Sequence, residues 1–264
     1  MKKIFITLIL ILAGVQSFAF SNEKGDTLTK IKKDGYFTVG LDDTFAPMGF
    51  RGKNGEIIGF DIDLAKEAAR KMGVEVRFKP GDWDGIIFEL RSKKIDMVWN
   101  GMTITENRKK QIAFSKPYFS GEQIVVTKSG SDIQKISDLS GKTVGVQLGS
   151  SSYFALEKNP VYSSVKDVKK YGSNVEALLD LEAGRIQAII IDSMVGKYYI
   201  AKKEKKENKD IFSVVNDPLA VEYMGVGMRK EDRSFVTEID RVLDEMQKDG
   251  SYKKIYEKWF GRRG

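Results

Sequence analysis

The sequence predicts an α/β protein made of two successive units, each a mostly parallel sheet flanked by helices. Three observations predict it. Short apolar runs alternate with amphipathic ones through residues 37–99, the alternation begins afresh in residues 123–203, and extended non-helical segments (115–122 and 212–223) stand at the joins.

The first unit opens with a strand at residues 37–41 and continues with a helix at 61–72. Ile62, Leu64, Ala65, Ala68, Ala69 and Met72 recur there at helical spacing, and Gly73 is placed to stop the helix. A strand at 75–78, a helix at 83–92 and a strand at 95–99 follow. The second unit has strand-like runs at 123–127, 143–146 and 186–191, a further run at 165–171, and helices at 151–157, 175–183 and 193–203. Helices between residues 231 and 260 close the chain.

Composition excludes much chemistry. The 264 residues contain no cysteine and no histidine, which removes disulfide scaffolds, thiol catalysis, thiolate metal sites, histidine triads and most zinc sites. No cofactor or metal is expected. Lys2 and Lys3 precede a mostly apolar run to Val15, and Ser17-Phe18-Ala19 offers a small-x-small cleavage site, so residues 1–19 read as a signal peptide. The run is too short for a membrane span, which needs about 20 apolar residues. Without a cysteine no lipid can be attached at the cleavage site, and a mature protein free in a periplasm is expected.

Removing residues 1–19 takes away two lysines and no acid, so the formal charge of +7 becomes +5. The lysines are interspersed with acids, as in KKEKKENK at 202–209, which reads as a solvated helical face rather than a nucleic-acid surface.

The most informative stretch is residues 100–119, NGMTITENRKKQIAFSKPYF. It follows the apolar run at 95–99, so Gly101 and Thr103 fall at the carboxyl end of a buried strand, where open α/β sheets bind ligands. Five residues on, Arg108 supplies a fixed fork able to take a carboxylate with two parallel hydrogen bonds. A small carboxylic acid is the natural guest. The alternative for Arg108 is a surface position on a short basic helix with Lys109 and Lys110.

This stretch resembles the signature of the periplasmic polar amino-acid-binding proteins of ABC importers, family 3 of the solute-binding proteins. The resemblance extends over nearly the whole mature chain: YFTVGLDDTFAP (36–47), GFDIDLA (59–65), WDGIIFEL (83–90), KTVGVQLGSS (142–151), GRIQAIIID (184–192), GVGMR (225–229) and DGSYKKIYEKWF (249–260). It implies the two-lobed type II periplasmic binding protein fold, with 27–118 and 217–264 as lobe 1, 119–216 as lobe 2, and two crossover strands between them.

The resemblance also implies roles. Arg108 would bind a substrate α-carboxylate with the backbone N–H groups of Thr103 and Ser151. Asp192 would pair with the α-ammonium, alongside the Thr103 hydroxyl and the Gly101 carbonyl; its alternative is an N-cap for the helix that starts at Ser193. Phe45 and Trp83 would wall the ligand side chain, which aromatic faces do for aliphatic stems and cations, although both could be ordinary packing. Asp42 and Asp61 are candidates for reading the far end of the substrate, with Asp61 equally suited to capping its helix. Ser151 follows Gly149 and Ser150 at a helix N-terminus, an anion-binding position.

The function expected is capture of a free polar, basic L-amino acid between the lobes and delivery to a membrane permease, by a monomer that neither inserts in the membrane nor binds nucleic acid. Glutamine or cystine binding is the nearest alternative. A dehydratase acting on cyclohexadienyl or arogenate substrates on the same fold is the alternative from another class, since fold alone does not fix function.

Overall fold

The computed structural model describes residues 26–261. The signal-peptide reading of residues 1–19 lies outside the described residues. Along the chain, α1 (Thr27–Asp34) leads to β1 (Tyr36–Leu41), then to three short strands, β2 (Thr44–Phe45), β3 (Gly49–Arg51) and β4 (Ile57–Ile58), and to α2 (Phe60–Met72). Next come β5 (Glu75–Pro80), a 3-10 turn at Trp83–Gly85, α3 (Ile86–Arg91), β6 (Met97–Val98), α4 (Glu106–Lys109) and β7 (Ala113–Phe114). The long β8 (Phe119–Lys128) is followed by β9 (Thr143–Gln147), α5 (Ser151–Lys158), β10 (Asp167–Tyr171), α6 (Asn174–Glu182), β11 (Ala188–Asp192), α7 (Ser193–Glu207) and β12 (Phe212–Val214). The chain then returns through β13 (Ala220–Met224) and β14 (Gly227–Met228) to α8 (Arg233–Lys248) and α9 (Ser251–Phe260).

Two main sheets result. The first has the order β5-β1-β6-β14-β7, parallel among β5, β1 and β6 and antiparallel at β14 and β7. The second has the order β10-β9-β11-β8-β12, parallel among β10, β9 and β11, with β8 and β12 antiparallel. Each sheet belongs to one lobe of an α/β protein. The connection between them is a ribbon: β13 pairs antiparallel with the first half of β8, Phe119 opposite Met224 through to Gln123 opposite Ala220.

The apolar periodicity read from sequence is the buried face in the structure. On α2, Ile62, Leu64, Ala65 and Ala68 are fully buried against β1, and Gly73 ends the helix in the left-handed conformation. On α8, Phe235, Ile239, Val242, Leu243 and Met246 form one stripe packed toward α1, α2 and α9. Burying side chains of this size contributes roughly 1.5–3 kcal/mol each.

Differences from the sequence reading are local. Gly59 rather than Asp61 caps α2, and Asp61 lies fully buried in its first turn. The helix expected at 83–92 is a 3-10 turn followed by α3, and the β2–β3–β4 sheet has strands of two or three residues. Strands that short carry no readable period.

Candidate functional site

Both sheets aim the carboxyl ends of their strands at the same gap. Asp42 follows β1, the segment at 99–103 follows β6, Gln147 ends β9 and Asp192 ends β11. Between them lies a narrow cleft, nearly closed, whose wall includes Phe45, Trp83, Asn100, Gly101 and Thr103 from one lobe and Gln147, Ser151 and Asp192 from the other. Phe45, Trp83, Gly101, Thr103, Ser151 and Asp192, read from sequence as site residues, are therefore brought together.

The aromatic wall is ordered. The rings of Phe45 and Trp83 are parallel within 4°, with centroids 6.4 Å apart. Gly101 makes room for this arrangement: it holds φ +59°, and a Cβ there would stand 2.6 Å from Cε1 of Phe45.

Arg108 is placed by its own short helix. Thr105 caps α4 by accepting the Arg108 N–H, and the Arg108 side chain turns back so that Nη1 donates to the Thr103 carbonyl at 2.9 Å. Nη2 donates to the Gly149 carbonyl of the other lobe at 3.1 Å, and the guanidinium lies 5.5 Å from the Trp83 ring centre. At 4% exposure Arg108 is no surface arginine. Burial pulls its pKa down to about 10, with Glu222 and then Asp192 pulling the other way. It stays charged at neutral pH.

Asp192 precedes α7 but makes no capping hydrogen bond from its side chain. Its Oδ1 is buried without a hydrogen-bond partner among the described residues. Burial, and after it the charge of Glu222, pushes its pKa well above the usual carboxylate range. Such a carboxyl is poised to gain from an ammonium group. Ser150, not Ser151, caps α5 by accepting the Tyr153 N–H, so the Ser151 hydroxyl is left to meet Thr103 Oγ1 at 2.9 Å across the cleft.

Asp42 borders the cavity through Gln147. Its Oδ1 accepts from the Thr44 N–H and hydroxyl, at 2.8 and 2.7 Å, and its Oδ2 accepts from Gln147 Nε2 at 2.7 Å. Asp61, expected as a second reader of the ligand's far end, is instead a support behind the wall. Its Oδ2 accepts from the Gly101 N–H at 2.6 Å and from the Tyr118 hydroxyl at 2.8 Å. Burial raises its pKa to about 7, against the pull of those two hydrogen bonds. The helical geometry of α2 turns the side chain inward, beneath Gly101.

Three polar residues of the site escape the sequence reading. Asn100 receives the Asp42 N–H on Oδ1 at 3.0 Å and keeps Nδ2 without a hydrogen-bond partner among the described residues. Gln147 ends an apolar strand just as Asp192 does, a signal that could have found it. Glu222 lies on β13, where Val221 and Tyr223 are exposed and the acid is buried, the reverse of the usual alternation.

Residues 37–262 match the family model described as bacterial extracellular solute-binding proteins, family 3. The L-cystine-binding protein TcyJ of Escherichia coli is 35% identical over 96% of this chain and 92% of its own length. Among solved structures, an ancestral arginine-binding protein bound to arginine is 46% identical, with a TM-score of 0.80 over 86% of this chain and 99% of that one. An ancestral amino-acid-binding protein, a precursor of cyclohexadienyl dehydratase, is 39% identical with a TM-score of 0.80 over 89% and 99%. These neighbours share the type II periplasmic binding fold, and among the described residues no helix is long and apolar enough to cross a membrane. The chain belongs to the family 3 extracellular solute-binding proteins, the amino-acid-binding components of ABC transporters.

Proposed function

We propose that this protein captures a basic L-amino acid, arginine or lysine, between its lobes and delivers it to the permease of an ABC importer. The observation that carries the reading is the set of parallel Phe45 and Trp83 rings, with Arg108 beside Trp83 and the Asp42 carboxylate held by Gln147 of the cleft wall. Parallel rings suit a methylene stem or a planar guanidinium, Asp42 suits a terminal cation, Arg108 suits the α-carboxylate and Asp192 the α-ammonium. Contacts from both lobes make the ligand bind the closed arrangement better than an open one, and that difference drives closure. The lobes are taken as 27–118 with 217–264, and 119–216. Residues 1–19 serve as a cleaved export signal, leaving a monomer free in the periplasm.

Cystine is the second reading, supported by the 35% identity to a cystine-binding protein. Glutamine is a third, since a single carboxylate also accepts from an amide. The reading is of a binder rather than an enzyme: Asp192 is assigned to an ammonium, and no residue is assigned a proton transfer to or from the substrate's reacting atoms. Incubation with prephenate or arogenate tests that rival directly, through formation of product.

A thermal-shift screen of the mature protein against the common amino acids and cystine tests the ligand class. A ligand at a hundred times its dissociation constant adds roughly 2.7 kcal/mol of stability. Stabilisation by arginine or lysine supports the reading. Stabilisation by none of these compounds contradicts it.

A further inference from the structure

We infer that Glu222 is a second carboxylate of the ammonium subsite, so that Asp192 and Glu222 receive the ligand's α-ammonium together and release a proton as they do. This rests on the amino-acid reading above.

Glu222 is 5% exposed on β13, and it takes hydrogen bonds from Thr103, beyond β6, and from Gln123 of β8. Its Oε2 accepts from Thr103 Oγ1 at 2.7 Å and its Oε1 from Gln123 Nε2 at 2.6 Å. The Gln123 amide is oriented by its neighbour. Gln123 Oε1 accepts from the Ser152 hydroxyl at 2.6 Å, which turns the amide nitrogen toward Glu222. Thr103 has one hydroxyl proton to share between Glu222 Oε2 at 2.7 Å and Ser151 Oγ at 2.9 Å, and the shorter contact is the one to the carboxyl group. Both oxygens of Glu222 thus have a hydrogen-bonding group within 2.7 Å.

Asp192 lies within hydrogen-bonding reach of Glu222, while its own Oδ1 has no hydrogen-bond partner among the described residues and its side chain lines the cavity. Two carboxylates in contact, one already saturated with donors, leave the other as the place for a proton. The charged groups facing Asp192 are Glu222 from β13 and Arg108 from α4, with the Gln123 amide from β8. Burial and Glu222 favour its protonated form and Arg108 opposes them. An ammonium has three N–H donors, enough for Asp192, Glu222 and one further acceptor. Once it arrives, the proton between the acids is redundant.

The exchange suits a cationic ligand. With Asp192 protonated, the charges of Arg108, Glu222 and Asp42 sum to minus one. A ligand of net charge plus one entering, and one proton leaving, restores that sum, whereas a neutral ligand would leave the site more negative. The departing proton has a way out. Glu222 and Gln123, with Thr103 and Ser151, line a separate hollow of about 290 Å³ beside the exposed Val221 and Tyr223.

Calorimetric titration of the mature protein with L-arginine near neutral pH, in two buffers of different ionisation enthalpy, reads the proton directly. Release approaching about one proton per arginine is expected, with affinity rising as pH is raised through the titration of Asp192 in the free protein. The E222Q variant should bind arginine roughly tenfold or more weakly and release markedly less. If E222Q does not fold, the buffer comparison on the wild type decides alone. Equal heats in the two buffers, or wild-type affinity and proton release in E222Q, would overturn the role of Glu222 while leaving amino-acid binding intact. Failure of the wild type to bind any amino acid would instead remove the reading on which this rests.

Discussion

Gln147 donates a 2.7 Å hydrogen bond to the Asp42 carboxylate across the cleft, joining the end of β9 in one lobe to the end of β1 in the other. It is one of several such links. Thr103 meets Ser151, Arg108 meets the Gly149 carbonyl, and the Tyr199 hydroxyl donates to the Thr44 carbonyl at 2.5 Å. Gly149 itself sits so near Asp84 that a Cβ would come within 3.0 Å of its Cα. The hydrogen-bonded links are ones that water replaces at a net difference of only about 0.5–1.5 kcal/mol each. Closure without ligand is therefore shallow, and ligand contacts decide it.

The first expected outcome is motion. The free protein should be more open on average than the complex, with bending confined to the paired ribbon of β8 and β13 and its flanks, because two extended strands bend without repacking either core. Small-angle scattering should record a smaller radius of gyration on saturation with arginine. An unchanged radius from an open starting state would contradict closure.

Arg108→Ala should nearly abolish binding while leaving the fold in place. The change strands a carboxylate in a dry cleft and frees the Thr103 and Gly149 carbonyls from their donor. Removing one partner of a buried charge pair costs about 2–5 kcal/mol, or roughly 30-fold to several-thousand-fold in affinity. Calorimetry on the purified variant checks this, and affinity within threefold of wild type would remove Arg108 from the site.

Asp42→Asn should change preference more than capacity. An amide keeps the shape and the hydrogen bond toward Thr44 but gives up the charge that meets a terminal cation. Arginine and lysine should weaken by roughly tenfold or more, while glutamine changes little. Competition calorimetry reads the ratio, and a parallel loss for all three ligands would mean that Asp42 only holds Gln147.

Much of this was legible because chemistry and periodicity coincide. Asp192 stands where an apolar strand stops, Arg108 follows a strand end and a capping threonine, and α2 declares its buried face in six apolar residues. Glu222 was not legible: on an edge ribbon with Val221 and Tyr223 turned to solvent, the pattern points the acid outward, and only the tertiary meeting with Thr103 and Gln123 reverses that. Asp61 was a candidate ligand contact with a helix N-cap as its equal alternative, and it is neither. A helix starting two residues earlier than a cap at Asp61 would require rotates the side chain beneath Gly101.

That rotation has a consequence for stability. Asp61 titrates near 7 in the folded protein against an ordinary 3.8, so the folded state holds the proton more tightly. Its penalty is absent below about pH 4, grows as pH rises, and is complete above about 7, where it reaches at most about 4 kcal/mol. Asp61→Asn should remove that slope and stabilise the protein most at alkaline pH. Denaturant unfolding at pH 5 and pH 8 checks it, and an identical pH dependence in the two proteins would contradict it.

The most direct measurement is competition calorimetry on the mature protein with arginine, lysine, glutamine, cystine and glutamate. Arginine or lysine should bind most tightly, glutamine next, and glutamate worst, since its second carboxylate would face Asp42 at close range. Cystine or glutamine ahead of the basic amino acids by tenfold would contradict the assignment of Asp42 to a terminal cation.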